Sequence, residues 1–407
     1  MKILTMSETH IVFNDQLELY GYRYITKVAD IPKEENPSPE FQKKKVLALL
    51  FEQFLLFDKI ALKIDRENLG LYFLINELGI NRVEELLDHG IIIPVLWTPM
   101  IFTSKGNRLP DGSFDENSVI GQSPIIPGSL SGEDGDPEKN LDRLLGYFQI
   151  HKERKRLFKK KALRQYILPD NSIAHHSAQI VLDAYKNNRL ENLGLKAEKE
   201  PEKLDLDERW YLFVLGNKVL ETTVLAEKGF KSYDNYPCFN LTMESVKHIE
   251  SAYHVSQNTS EIFKVENIAN IQELVFENKI PFQRVFDIRY KKDIKAYRKW
   301  INTISENTDT KTITKEYIDE IVGKTKFSES IGGKFLRTVG MFGVGTGIGA
   351  VLANLPGAFA GGVVGKIADL GLAMLDTHVL DGLVKGWNPR MFVDAIKYES
   401  QEPAKLE

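Results

Sequence analysis

The strongest constraint in this chain is the stretch Val339 to Gly365, VGMFGVGTGIGAVLANLPGAFAGGVVG, which holds 27 residues, nine glycines and no charge. An isolated helix of this composition does not form in water, because each interior glycine costs about 1 kcal/mol relative to alanine. It therefore needs a close neighbour: other helices, a bilayer or another copy of itself. Gly343/Gly347, Gly345/Gly349, Gly357/Gly361 and Gly361/Gly365 are small-xxx-small pairs, the spacing that lets two helix backbones touch. A bilayer crossing takes about 20 apolar residues, so the stretch is long enough for one. As a hairpin turning at Asn354–Pro356, each arm would have roughly 13 residues and reach only ~20 Å at the helical rise.

The same residues spell a G-x-G-x-x-A at Gly345, Gly347 and Ala350. A dinucleotide fingerprint must join a strand to a helix inside a βαβ unit, and too little chain follows for the rest of that fold. Gly323-Lys324-Thr325 and Gly365-Lys366 lack the first glycine of a phosphate loop.

Upstream the pattern is that of an α+β chain. The 407 residues allow about two or three domains. Residues 1–102 read as a mixed α/β domain. His10–Phe13 and Leu17–Ile25 read as extended, Phe41–Phe57 as a helix, Lys59–Ile64 as a strand, and Leu69–Leu78 as a helix closed by Gly79. Asn81 is expected to cap a further helix, and Ile91–Trp97 is a second strand, an order that calls for a parallel crossover. Residues 103–140 form a long Gly- and Pro-rich excursion without periodicity, read as a flexible loop. Its GSLSG at Gly128–Gly132 is no nucleophile elbow, and Glu133, Asp134, Asp136 and Glu138 lack calcium-loop spacing.

Residues 141–325 read as a helical domain. A helix starting at Asn171 or Ser172 is expected to stop near Gly194. The clearest helix, Asp207–Lys228, puts Trp210, Phe213, Val214, Leu220 and Val224 on one face before the stop at Gly229. Residues 326–398 are the glycine-rich apolar helical segment, and 399–407 a polar tail.

Two runs mix charge with apolar residues. Lys152–Arg164 carries eight basic residues in 13, and its Lys155, Arg156, Lys159, Lys160, Lys161 and Arg164 are candidates to touch an anionic surface. The commoner role of such a run is a solvated helix face. Arg289–Trp300, RYKKDIKAYRKW, would offer Tyr290, Tyr297 or Trp300 for base stacking, or use them as half-buried anchors. The adjacent His175 and His176 point apart on a helix, and Asp369, Asp376, His378 and Asp381 lack a further ligand for a metal. Neither metal nor cofactor is expected. A single cysteine, Cys238, fits a reducing compartment, and the N-terminus lacks the features of a secretory signal, so a cytoplasmic location is expected.

The leading expectation is a non-enzymatic cytoplasmic effector of the toxin or cell-defence kind. Its close-packing positions Gly343, Gly347, Gly357, Gly361 and Gly365 would mediate membrane association or self-assembly. One alternative is a soluble adaptor or scaffold binding protein or nucleic acid through its basic and aromatic helices. Another is an enzyme whose site comes together only in the fold.

Overall fold

The structure is a computed structural model that describes residues 9–27, 38–104, 106–112, 114–233, 251–265, 268–307 and 389–401. The chain is a mixed α/β protein built on a parallel sheet. Strand β1 (Ile11–Asn14) runs straight into α1 (Gln16–Tyr20) and a wider π-helical turn at Gly21–Ile25. Helix α2 (Pro39–Leu56) starts with the Ser38 hydroxyl accepting from Phe41 N at 3.2 Å and Pro39 at its first position. Then come β2 (Lys59–Ile64), α3 (Leu69–Leu78), α4 (Ile80–Asp88) and β3 (Ile92–Leu96).

The next residues form two antiparallel strand pairs, one nested in the connection of the other. Strand β4 (Pro99–Phe102) pairs antiparallel with β7 (Ile126–Ser129), and β5 (Asn107–Arg108) with β6 (Phe114–Asp115). Helices α5 (Pro137–Gly146), α6 (Lys152–Leu163), α7 (Ser172–Lys186) and α8 (Leu206–Lys228) follow, and β8 (Phe230–Lys231) returns to the sheet. Helices α9 (Ser251–Val265), α10 (Ile271–Phe276), α11 (Val285–Arg289), α12 (Lys292–Asn307) and α13 (Pro389–Gln401) complete the described chain.

The main sheet has the order β3-β2-β1-β8, all parallel. Alternation along each strand divides the side chains between two cores, as a period of two requires. Val12, Ile60, Leu62, Ile64 and Ile92 face α2, α4 and the later helices. Phe13, Ala61, Val95 and Phe230 face α7 and α8. The sheet is thus the middle of three layers, the arrangement that parallel strands covered on both faces demand. Helix α2 is buried nearly all round in its second half, which explains why its apolar residues outrun a single stripe.

Several expectations change. Leu17–Ile25 alternates like a strand but is helical. The chain turns straight after β1 because the Asn14 side chain accepts from Leu17 N at 3.2 Å and Glu18 accepts from Gly70 N at 2.8 Å. Asn81 caps nothing: α4 begins one residue earlier, and the Asn81 side-chain oxygen accepts from Arg154 instead. Helix α7 stops at Lys186 rather than near Gly194. Trp210 is 45% exposed, because its neighbour Arg209 takes the buried position.

Residues 103–140, expected to be a flexible excursion, carry three short strands and the start of α5. Arg209 ties part of that region down. Its guanidinium is wholly buried and donates to five carbonyls: those of Leu204 (2.7 Å), Val119 (2.9 Å), Glu202 (2.9 Å), Gln122 (3.1 Å) and Ser123 (3.3 Å). The acidic cluster is used up locally. Asp136 caps α5, Asp134 pairs with Arg66 and Arg143, Glu133 with Lys139, and Glu138 with Lys159.

The layout of an N-terminal α/β part, a helical middle and a C-terminal helix holds, yet these parts share a core. Phe51 meets Phe282 and Phe54 meets Phe286, at ring distances of 6.4 and 5.3 Å. The C-terminal carbonyls of α2 are met from α11 and α12. Arg289 donates to those of Phe54, Phe57 and Asp58, Arg298 to that of Leu55 and Asn302 to that of Leu56. All but that of Asp58, which lies just past the cap, are the acceptors a helix end leaves orphaned, at its negative pole. Helix α13 docks through Phe392, stacked on Tyr297 at 3.7 Å, and through Val393 and Ile396. Its buried Glu399 is held by Arg284 and Lys291.

Candidate functional site

The close-packing glycines Gly343, Gly347, Gly357, Gly361 and Gly365 lie outside the described residues, as do Asp369, Asp376, His378 and Asp381. The basic run forms α6. Within it Lys159 bridges Glu138 and Asp142, Lys161 bridges Glu84 and Asp88, Arg154 pairs with Glu84 and Arg156 with Glu153. Lys160 and Arg164 are exposed and Lys155 is half-buried. Acids from other elements therefore answer much of this charge. His175 and His176 are both exposed on α7.

The aromatic run is divided. Tyr290 is 47% exposed, with Lys295 over its ring at 5.4 Å. Tyr297 and Trp300 are buried in the core, which removes both from base stacking. Among the described residues, no helix is long and apolar enough to cross a membrane. Among the same residues, no three His, Cys, Asp or Glu are placed to hold a metal ion.

The fold itself directs attention to another place. In the order β3-β2-β1-β8 the chain builds outward from β1 in one direction and then returns on its other side. The crevice beyond the carboxyl ends of β1 and β8 is thus a topological switch point, where open parallel sheets bind ligands. Asp15 is the first residue past β1 and stands there partly accessible though crowded on all sides. Gln16 donates to its carboxylate at 2.9 Å. Burial first, and then the neighbouring Glu221, push the Asp15 carboxyl above its ordinary value. Lys63 and Lys218 pull the other way.

Glu221, buried on α8, is within 3.4 Å of Lys218 and 3.6 Å of Lys63. Lys63 leaves β2 with its ammonium 4.5 Å above the Trp97 ring, and Trp97 directly follows β3. Two acids, two ammonium groups and one indole thus converge from three strand ends and α8. A partly accessible carboxyl whose proton affinity is raised by burial and a specific charged neighbour, at a strand-order reversal, is a candidate functional group.

A second polar group adjoins it beyond β2. Glu18, buried, stands against Asp65, and Tyr166 donates to the Asn68 side-chain oxygen at 2.8 Å. Burial and Asp65 push Glu18 well above the usual carboxylate range. Asp134 closes this rim, accepting from Arg66 at 3.4 Å and Arg143 at 3.3 Å.

No sequence reading singled out these residues. Asp15, Lys63, Trp97 and Glu221 are scattered over two hundred positions with no motif between them. The one local signal was an acid directly after each of the first two strands, Asn14-Asp15 and Ile64-Asp65. Compared with protein-family models, with curated proteins and with solved structures, the chain matches none.

Proposed function

We propose that the chain is a cytoplasmic effector that binds a small polar ligand beside α8, at the carboxyl ends of β1, β2 and β3. In this reading the glycine-rich stretch Val339–Gly365 makes contact with a membrane or with further copies. The observation that carries the ligand site is the placement of Asp15 at the strand-order reversal, backed by Glu221 and flanked by Lys63 and Lys218. Where a dinucleotide fold offers bare backbone N–H groups to a pyrophosphate, this chain offers a carboxylate, so the ligand is not held there by phosphate. With Asp15 ionised the two acids and two lysines balance, which suits a ligand without net charge.

The test is a thermal-shift panel of nucleosides, nucleotides, sugars and amino acids on the full chain and on Asp15→Asn. A ligand that raises the wild-type midpoint by several degrees and leaves Asp15→Asn unmoved supports the reading. A panel without any Asp15-dependent response overturns it.

The association part has its own test. Both described ends that flank the stretch, Asn307 and Pro389, belong to helices packed on one core. Association would thus be made by a stretch of chain whose two flanking helices belong to the same body. Gly361→Leu is expected to abolish liposome binding or self-assembly and to keep the core folded. Liposome binding and assembly both at wild-type level would remove this part.

An enzymatic reading is favoured by one observation, the raised proton affinity of Asp15, which suits acid or base work. Turnover of the bound ligand, followed by mass spectrometry and lost in Asp15→Asn, would establish it.

A further inference from the structure

Glu18 lies in the middle of α1, a helix of five residues that runs on into the π-helical turn Gly21–Ile25. A helix that short is not stable by itself in water and is held by what its side chains meet. Leu17 packs into the core, and Tyr20 meets the Phe73 ring of α3 edge-on at 5.3 Å. Glu18 makes the polar contact. Its Oε2 accepts from Gly70 N at 2.8 Å. Its carboxyl is also hydrogen-bonded to the N–H and to the side chain of Asp65, the first residue past β2.

An ionised carboxylate only accepts, so two carboxyl groups bond to each other only when one of them keeps its proton. Asp65 is fixed in place by its Oδ1, which accepts from Glu67 N at 2.9 Å, and Glu18 is only 5% exposed. No cation offsets the pair. Arg66 pairs with Glu67 and Asp134, while Lys43 of α2 and Glu77 of α3 pair with each other at 2.8 Å beside Tyr20. Among the described residues, Arg23 on the turn after α1 forms no ion pair with Glu18, and neither carboxyl has a cationic partner. Tyr166 is the other titratable group beside Glu18. Burial, and then Glu18, push its hydroxyl up, so it stays neutral and donates to the Asn68 side chain at 2.8 Å. With both carboxyls ionised, two like charges would meet inside the fold with nothing to balance them.

We propose that Glu18 and Asp65 share a single proton and that this proton latches α1 to the turn between β2 and α3. When it leaves, the two carboxylates repel, Glu18 turns toward water, and α1 with the turn after it lifts from the start of α3. Burial and the Asp65 charge hold the Glu18 carboxyl well above the usual carboxylate range. The closed form therefore keeps its proton where an open, solvated Glu18 has lost it. The latch is closed in acid, weakens as the pH rises out of the ordinary carboxylate range, and has lost its whole contribution once the pH passes the raised value. Asp15 directly precedes α1 and moves with it, a consequence that alone rests on the ligand-site reading above.

The experiment is hydrogen exchange by mass spectrometry on the full chain, over a pH series corrected for intrinsic rates, in peptides covering residues 15–25 and 66–75. Between the ordinary carboxylate range and the raised value, opening should become about tenfold more favourable for each pH unit. Glu18→Gln keeps an acceptor for Gly70 N and donates to Asp65 without ionising, so it should stay at the closed rate throughout. Asp65→Asn, which keeps an acceptor for Glu67 N, takes its place if the first variant fails to fold. An infrared difference spectrum, wild type minus variant, should show the carbonyl band of a protonated carboxyl just above the ordinary carboxylate range. The subtraction removes Glu52 and Asp15, which both chains retain. Absence of that band overturns the shared proton. Exchange that is flat with pH in the wild type, or equally steep in both chains, overturns the latch. No ligand enters the test, so its failure leaves the Asp15 reading standing, and failure of the Asp15 panel leaves the latch standing.

Discussion

Arg298 donates to the main-chain carbonyl of Arg289 at 2.9 Å, so two like-charged side chains are held close together at the buried C-terminal end of α2. Burial, and then Arg298, push the Arg289 guanidinium down to about 9. The pair is tolerated because both face the carbonyls that α2 leaves open, where the helix dipole favours cations. Arg289→Met strips donors from the carbonyls of Phe54, Phe57 and Asp58. It should cost on the order of 3 kcal/mol in urea unfolding. Arg298→Met should cost less. The double variant should cost less than the sum, since the two share one helix end.

Arg209 does for the 119–123 and 202–204 segments what that pair does for α2. Arg209→Lys keeps the charge but cannot fan out to five carbonyls. We expect a loss of about 2–3 kcal/mol and faster amide exchange at Gly121, whose N–H donates to Glu202 O at 2.9 Å. Unchanged exchange at Gly121 would show that these segments hold themselves.

Glu52 gives a pH dependence. It is buried and accepts at Oε1 from Ser256 (2.7 Å), Tyr233 (3.0 Å) and Gln272 (3.0 Å). Burial raises its carboxyl above the ordinary value, while these three hydrogen bonds lower it. Because the folded value lies above the unfolded one, this group's stabilisation is complete below the usual carboxylate range. It is lost as the pH rises through the folded value. Glu52→Gln keeps an acceptor and cannot ionise. Relative to that variant, the wild-type chain should lose stability as the pH rises from the ordinary carboxylate range through the raised folded value, at roughly 1.4 kcal/mol for each unit by which the carboxyl is raised. Parallel stability curves would exclude the linkage.

Gly21 marks a close approach of two helical segments. A Cβ built there would lie 2.5 Å from Leu69 Cβ, at the start of α3. Gly21→Ala should therefore destabilise by about 1–3 kcal/mol. It should also weaken whatever binds beside Asp15, because α1 would be pushed off α3. A stability loss with full binding would separate packing here from the site.

The frame was largely legible in the amino-acid sequence, and the site was not. Ile91–Trp97 and Lys59–Ile64 read as strands because β-branched runs bounded by turn residues have few other uses. Asp207–Lys228 read as a helix because its apolar spacing and its glycine stop are local; the structure adds a capping box of Asp205 and Glu208 just before it. Leu17–Ile25 misled because Leu17, Leu19 and Gly21 alternate with larger or polar residues. What turns them helical is contact with Gly70, about fifty residues away. Charge was misleading for the same reason. The cations of α6 look free in sequence, while Glu84, Asp88, Glu138 and Asp142 reach them from α4 and α5. The candidate site depends on strand order, and no window of sequence contains strand order. That β8, only two residues long, would lie beside β1 was beyond any local pattern.

The docking of α13 bears on how the C-terminal half can be dissected. Phe392, Val393 and Ile396 are fully buried and Glu399 nearly so. A stop codon placed before the glycine-rich stretch would pull a helix out of the hydrophobic interior along with it, and any phenotype would mix lost association with partial unfolding. Excision of residues 335–385 with the remainder rejoined by a flexible spacer leaves that helix in its seat. A fluorescent protein fused after residue 407 would then follow the core and not the excised stretch.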